Sequence, residues 1–132
     1  MSRENMEVMR SVYGAVLGGD LNPLFGLLDD EAEYVNPDVA LESGIRRGRV
    51  DVEAAIRRLL EAFVYTRLDL ERLLDVGNHV VAVLDVEGQG RDSQAPFRTR
   101  FGHLVTFRDG KIIRFEWFLD PDDALEAVGL RE

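Results

Sequence analysis

The sequence predicts an α+β domain in which N-terminal helices pack into a cone-like, strongly curved antiparallel sheet around an apolar pocket. Three observations carry the prediction. In the first half of the chain apolar residues recur at steps of three and four, the period of a helix with one buried face. From residue 66 the period changes to two, and it holds through four long runs. The helical and strand-like halves are segregated rather than alternating, which excludes a βαβ architecture.

Each element follows in order. Met6, Val8, Met9, Val12, Val16 and Leu17 set a helical stripe over Glu4 to Leu17, and Gly18-Gly19 stops it. Asp20 is placed to cap a short second helix over Leu21 to Leu28, with Pro23 in the first turn, where its missing N–H does no harm. Ala32 to Val35 reads as a short strand running into Asn36-Pro37, since the residue before proline is pushed to extended geometry. A polar loop to Gly48 is expected next. A third helix, from about Asp51 through Phe63, carries Val52, Ala55, Ile56, Leu59, Leu60 and Phe63 on one stripe.

Four strands are then predicted at Thr66 to Asp75, His79 to Glu87, Phe97 to Arg108 and Lys111 to Leu119. Turn signals at Val76-Gly77-Asn78 and Asp109-Gly110, with a Gly- and Ser-bearing loop between them, make an antiparallel meander. Asp120 caps a last helix with Pro121 at its first position, ending at Gly129. Strands this long demand curvature, and helices on the concave side leave a cavity at one end.

Composition bounds the function. The 132 residues, 45% apolar and 31% charged, suit one domain spanning residues 1–132. A net charge of -9 repels phosphate backbones and anionic lipid, so nucleic acid and membranes are not expected as partners. The local cluster Arg46, Arg47 and Arg49 reads as a solvated loop. With no cysteine, disulfides and thiolate chemistry are absent. The N-terminus lacks the basic-then-apolar layout of a signal peptide, and no apolar run reaches the roughly 18 residues of a membrane span. A cytoplasmic location is the expectation. No metal-ligand spacing, phosphate loop or nucleophile elbow occurs, so no metal or cofactor is expected and any catalysis would be acid–base work.

The Tyr34-Val-Asn-Pro37 turn, Gly48 followed by a helix, the stretch His103-Leu-Val-Thr-Phe-Arg-Asp-Gly-Lys-Ile-Ile-Arg-Phe-Glu-Trp-Phe-Leu-Asp120 and the ending Asp120 to Leu130 resemble a known family. They are similar to the SnoaL-like branch of the ketosteroid-isomerase and nuclear-transport-factor-2-like superfamily, over nearly the whole chain. The resemblance implies the cone fold, a homodimer and a small apolar, carbonyl-bearing ligand. It does not imply one reaction, because the superfamily includes isomerases, cyclases, hydrolases, dehydratases and plain binders. Ketosteroid isomerases place a base carboxylate immediately before the proline of this turn, where this sequence has Asn36. The acid that donates to the developing oxyanion aligns with His103, and the tyrosine of the first helix lies near Tyr13.

The candidate catalytic residues are therefore His103, as acid, base or donor, and Asn36, as a polarising amide. On the run Phe97 to Phe107 one alternate row is apolar apart from Thr99 and His103, and must face inward. The ligand-contacting set is expected to be Tyr13, Tyr34, Phe101, Val105, Phe115, Trp117 and Leu119. What faces His103 depends on the Asp109-Gly110 turn. A two-residue turn pairs Arg108 with Lys111 and sets His103 opposite Glu116; a three-residue loop with a bulge at Gly110 sets it opposite Phe115. Burial favours the second, which keeps Arg114 and Glu116 outside. Leu104, Ile112 and Phe118 on the outer row would then suit a dimer contact. Asp120 is best explained as a helix cap, Asp38, Glu42 and Arg46 as a polar loop at the cavity, and His79 as an exposed turn residue.

Overall fold

The computed structural model describes residues 2–130. Helix α1 (Ser2–Leu17) is followed by α2 (Asn22–Leu27), β1 (Leu28–Asn36), β2 (Gly44–Arg47) and α3 (Arg49–Glu61). The meander comes next, with β3 (Phe63–Val76), β4 (His79–Gly90), β5 (Pro96–Arg108) and β6 (Lys111–Phe118), and α4 (Pro121–Ala127) closes the chain. The six strands form one sheet in the order β2-β1-β6-β5-β4-β3. Its edges, β2 and β3, do not meet. Among the described residues no helix is long and apolar enough to cross a membrane.

The helix stripes bury in large part, but Val8 and Leu17 of the expected α1 stripe are exposed and Phe63 opens β3 instead of ending α3. Met9 and Val12 of α1, Leu24 and Phe25 of α2, and Val52, Ala55 and Ile56 of α3 meet Val80, Ala82, Leu84 and Val86 of β4 in one core. The run Val80 to Val86 is buried on both faces, which explains why its apolar residues are nearly continuous. Asp85 interrupts it on the face away from the main core, where Arg98 (2.9 Å) and Arg67 (3.1 Å) pair with it. The Arg98 guanidinium holds its carboxyl below the usual carboxylate range.

Several expectations need correction. The sheet is mixed: the meander is antiparallel, but β1 lies parallel to β6. The polar loop contains a strand, β2, paired antiparallel with β1. Its four residues carry no apolar alternation, because an edge strand needs little burial. The arginine cluster is accordingly not a solvated loop. Arg46 pairs with Glu42 (3.4 Å), Arg47 with Glu33 (2.9 Å) and Arg49 with Glu53 (2.9 Å). His79 opens β4, and its Nδ1 lies 3.0 Å from Thr106 Oγ1.

The outer row does not offer the expected dimer contact. Leu104 is buried with Val81 beneath Ala124 and Leu125 of α4, and Phe118 packs against that cluster. Ile112 is fully buried in the main core. Gly102 is what lets α4 sit so close: a Cβ there would lie 2.8 Å from Ala124 Cβ and 3.2 Å from Pro121 Cα.

The β5–β6 hairpin has the two-residue turn of one alternative and the inward face of the other, in a register that is neither. Asp109 (φ 53°) and Gly110 (φ 78°) form a two-residue turn that pairs Arg108 with Lys111 and Phe107 with Ile112. A bulge then intervenes, with Ile113 as the extra residue, and Thr106 pairs with Arg114. His103 therefore faces Trp117, neither Glu116 nor Phe115. The aromatic row still points inward, as burial requires, but the extra residue sits in the strand and not in the turn.

Candidate functional site

Between α1, α3 and the sheet lies a cavity of about 550 Å3, within the usual range for small-molecule sites. Its wall is built from Val12, Tyr13 and Val16 of α1, Leu59 and Leu60 of α3, and the inward rows of β3, β5 and β6. No aspartate, glutamate, lysine or arginine is among the described residues that line it. The polar groups of the wall are one imidazole, three phenols, an indole and the hydroxyls of Ser93 and Thr99.

Tyr13 and His103 meet at this wall. The helical stripe turns Tyr13 inward, where it is 4% exposed, and strand alternation turns His103 toward it. The phenol oxygen lies 2.8 Å from His103 Nδ1, and the rings are stacked, 5.7 Å apart and 13° from parallel. Phe115 presses an edge-to-face contact on the imidazole at 4.7 Å, and Phe101 flanks it at 5.1 Å. This apolar surround has an electrostatic consequence. Burial pushes the His103 imidazolium down to about 3 and the Tyr13 phenol well above its ordinary range, so both are neutral near pH 7.

A neutral pair has a definite hydrogen-bonding capacity. If Nδ1 accepts the phenol proton, Nε2–H remains as a donor; if Nδ1–H donates to the phenol, the tyrosine O–H remains. Either tautomer leaves one donor beyond the pair. A carbonyl or hydroxyl oxygen of a ligand is the group such a donor suits.

The other expected residues divide. Tyr34, Phe101, Phe115 and Trp117 line the cavity, and Leu119, 51% exposed, lies at its rim. Burial pushes the Tyr34 phenol up to about 12, with a hydrogen bond from the Asn36 side chain acting the other way. Val105 does not line the cavity. It is fully enclosed in the main core, because the cavity reaches only the Pro96 to His103 part of β5. Asn36 also stands outside the lining set: it is buried on the inward face of β1, and its Nδ2 donates to the Glu42 carbonyl at 2.7 Å. Glu42 is itself clasped by Arg58 (2.9 Å) and Arg46 (3.4 Å), and neither it nor Asp38 reaches the cavity. Asp120 caps α4, accepting from the Asp122 N–H at 2.9 Å.

Residues 9–115 match the SnoaL-like domain model. The chain belongs to the SnoaL-like domain family. No curated protein matches it. Solved structures share the fold of this SnoaL-like domain over almost their whole length. A nuclear-transport-factor-2-like (NTF2-like) protein of unknown function from Burkholderia pseudomallei is 21% identical, with TM-score 0.77, covering 95% of this chain and 97% of that one. TerC, crystallised with polyporic acid, is 20% identical with TM-score 0.74, covering 94% and 96%. A protein with a ketosteroid-isomerase-like fold from Catenulispora acidiphila, in complex with trimethylamine, is 18% identical with TM-score 0.72, covering 94% and 93%. At these identities the likeness is one of fold.

The sequence reading of this SnoaL-like domain missed a further part of the wall. Leu59 and Leu60 of α3, Phe63, Tyr65 and Leu68 of β3, and Ser93, Ala95, Pro96 and Phe97 complete the cavity. Phe97 and Thr99 lay on the inward row already recognised on β5, so the alternation alone would have found them. Phe63 and Tyr65 were hidden because β3 begins three residues earlier than the alternation suggests, at the end of a helical stripe. Among the described residues no group of three or more His, Cys, Asp or Glu is placed to hold a metal ion.

Proposed function

We propose that this protein binds an uncharged, largely apolar, ring-bearing small molecule and holds one of its oxygens with the Tyr13–His103 pair. The observation that carries the reading is a neutral hydrogen-bonded phenol–imidazole pair at the wall of a cavity with no ionic side chain in its lining. An ionised ligand would find no counter-charge there, whereas a flat ring finds Phe101, Phe115 and Trp117. A protein of the same fold was co-crystallised with a small molecule, polyporic acid, which supports small-molecule binding as such and not the absence of charge.

A second reading, cofactor-free acid–base catalysis on a carbonyl substrate, is favoured by the spare donor of the pair. Such a donor can stabilise an oxyanion as it forms. It also needs a proton acceptor. The cavity wall offers no carboxylate, and an imidazole whose pKa is about 3 is a weak base near pH 7. Binding is therefore the reading adopted.

The test is direct. Protein purified from cells is extracted with organic solvent, and the extract is compared by mass spectrometry with that from the Tyr13→Phe, His103→Leu double variant. An uncharged ring-bearing compound present at near-stoichiometric amount in the wild type and depleted in the variant is expected. A retained compound that is anionic or cationic would overturn the reading, as would equal retention by the variant.

A further inference from the structure

The loop between β4 and β5, residues 91–95, borders the mouth of the cavity. Ser93, Ala95, Pro96, Thr99 and Leu119 line the cavity and are also exposed, which marks where it opens to solvent. The loop is bonded to itself. Gln94 N–H donates to the Gly90 carbonyl at 2.9 Å, Gly90 N–H to the Ala95 carbonyl at 3.0 Å, and Ala95 N–H to Ser93 Oγ at 3.1 Å. Within this closed set of bonds Gln94 holds a φ of 59°, in the left-handed region that non-glycine residues rarely adopt. Pro96, which has no N–H to donate, opens β5 opposite Gln89, so the β4–β5 ladder ends where the loop begins.

One residue fastens this loop to the rest of the chain. Among the described residues, every hydrogen bond from residues 91–95 that reaches beyond Gly90 is made by Arg91. Its N–H donates to the Ala62 carbonyl at 2.9 Å, its Nε to the Glu61 carbonyl at 2.8 Å and its Nη2 to the Phe63 carbonyl at 3.1 Å. Glu61 ends α3 and Ala62 is its C-cap, where carbonyls lack partners within the helix and the helix dipole favours a cation. This clasp is exposed and is not packed in. Arg91 and Glu61 line a second cavity of about 340 Å3, which shares Val16, Leu60, Phe63 and Tyr65 with the main one. The guanidinium thus lies between solvent and open space, and its release exchanges bonds to carbonyls for bonds to water.

We propose that the β4–β5 loop is a flap at the cavity mouth, moving as one body, and that Arg91 is the clasp whose release lets a ligand enter and leave. The proposal rests on the reading of the cavity as a ligand site. A gate of this kind controls rates more than affinity. Loss of the clasp favours the open form, which speeds passage in both directions, while affinity holds as long as the shut form still dominates.

The test is stopped-flow mixing with 2-acetylnaphthalene, followed through the fluorescence of Trp117, the sole tryptophan and part of the cavity wall. In Arg91→Ala the association and dissociation rates should both rise about tenfold, the effect of losing bonds from a charged donor, with Kd moving less than about threefold. Arg91→Lys, which keeps the cation but not the fork, should fall between. Unchanged rates in a variant that still unfolds cooperatively in urea would overturn the flap. So would a faster dissociation alone, with Kd weakened in step, since Arg91 would then merely support the wall. Hydrogen exchange of the wild type needs neither variant nor probe. After correction for intrinsic rates, Arg91 N–H should exchange by local opening about a hundredfold or more faster than Ala82 N–H in the centre of β4. Equal protection of the two would overturn the flap even if the variants do not fold. Failure of the probe to bind the wild type would overturn the reading of the cavity, and the flap is then decided by the exchange measurement.

Discussion

Tyr13 and His103 lie ninety positions apart in the chain, one on the first helix and one on the fifth strand, and their phenol oxygen and Nδ1 meet at 2.8 Å. This bond ties α1 to the sheet and joins two polar side chains of the cavity wall. Removing the phenol hydroxyl leaves a half-buried ring nitrogen without its partner. Tyr13→Phe should therefore lose about 1–2 kcal/mol of stability in urea unfolding. The same substitution in a His103→Leu background should cost clearly less, because the nitrogen is then gone as well. Equal costs in both backgrounds would show that the bond contributes nothing.

The pH dependence follows from the neutral imidazole. Burial lowers the His103 pKa to about 3, against an ordinary value of 6.5 in the unfolded chain. Between those values the unfolded state binds a proton that the folded state does not, so stability rises with pH through this window and is lost as pH falls from 6.5 toward 3. Carboxylates complicate only its lower part. Denaturant midpoints measured from about pH 7 down to pH 5 should fall in the wild type and change less in His103→Gln, which carries no titrating ring. Parallel curves for the two proteins would contradict a buried neutral His103.

Gly102 supports the site from behind. A methyl group at this position would press on Ala124 Cβ and on the Pro121 backbone, lifting α4 from Leu104 and Val81. Gly102→Ala should destabilise by about 1–3 kcal/mol. Adding Ala124→Gly removes the first contact and should restore part of the loss, even allowing for the lower helix propensity of glycine. No recovery would place the strain at Pro121 alone.

The limits of the sequence are clearest in the β5–β6 hairpin. Alternation and burial decide that Phe115 and Trp117 share a face with His103, since the alternative buries Arg114 and Glu116. They do not decide where the extra residue that achieves this is placed. Asp109-Gly110 is chemically suited to a two-residue turn and forms one, which leaves the correction to a bulge at Ile113 that no local residue signals. The same reasoning explains β2 and Val105. A four-residue edge strand has no burial pattern to read, and Val105, on the inward row, is enclosed because the cavity stops short of it. Tyr13 was visible only through the family resemblance. Its contact with His103 depends on how α1 crosses the sheet, a tertiary relation that helical periodicity does not encode.

The central claim is that the cavity receives a neutral ring compound whose oxygen is held by Tyr13 and His103. A crystal structure of the protein saturated with 2-acetylnaphthalene tests it most directly. The account predicts the ketone oxygen at hydrogen-bond distance, about 3 Å, from Tyr13 Oη or His103 Nε2, with the rings against Phe101 and Phe115. A ketone oxygen pointing to the rim at Leu119, or density for the probe only outside the cavity, would contradict it.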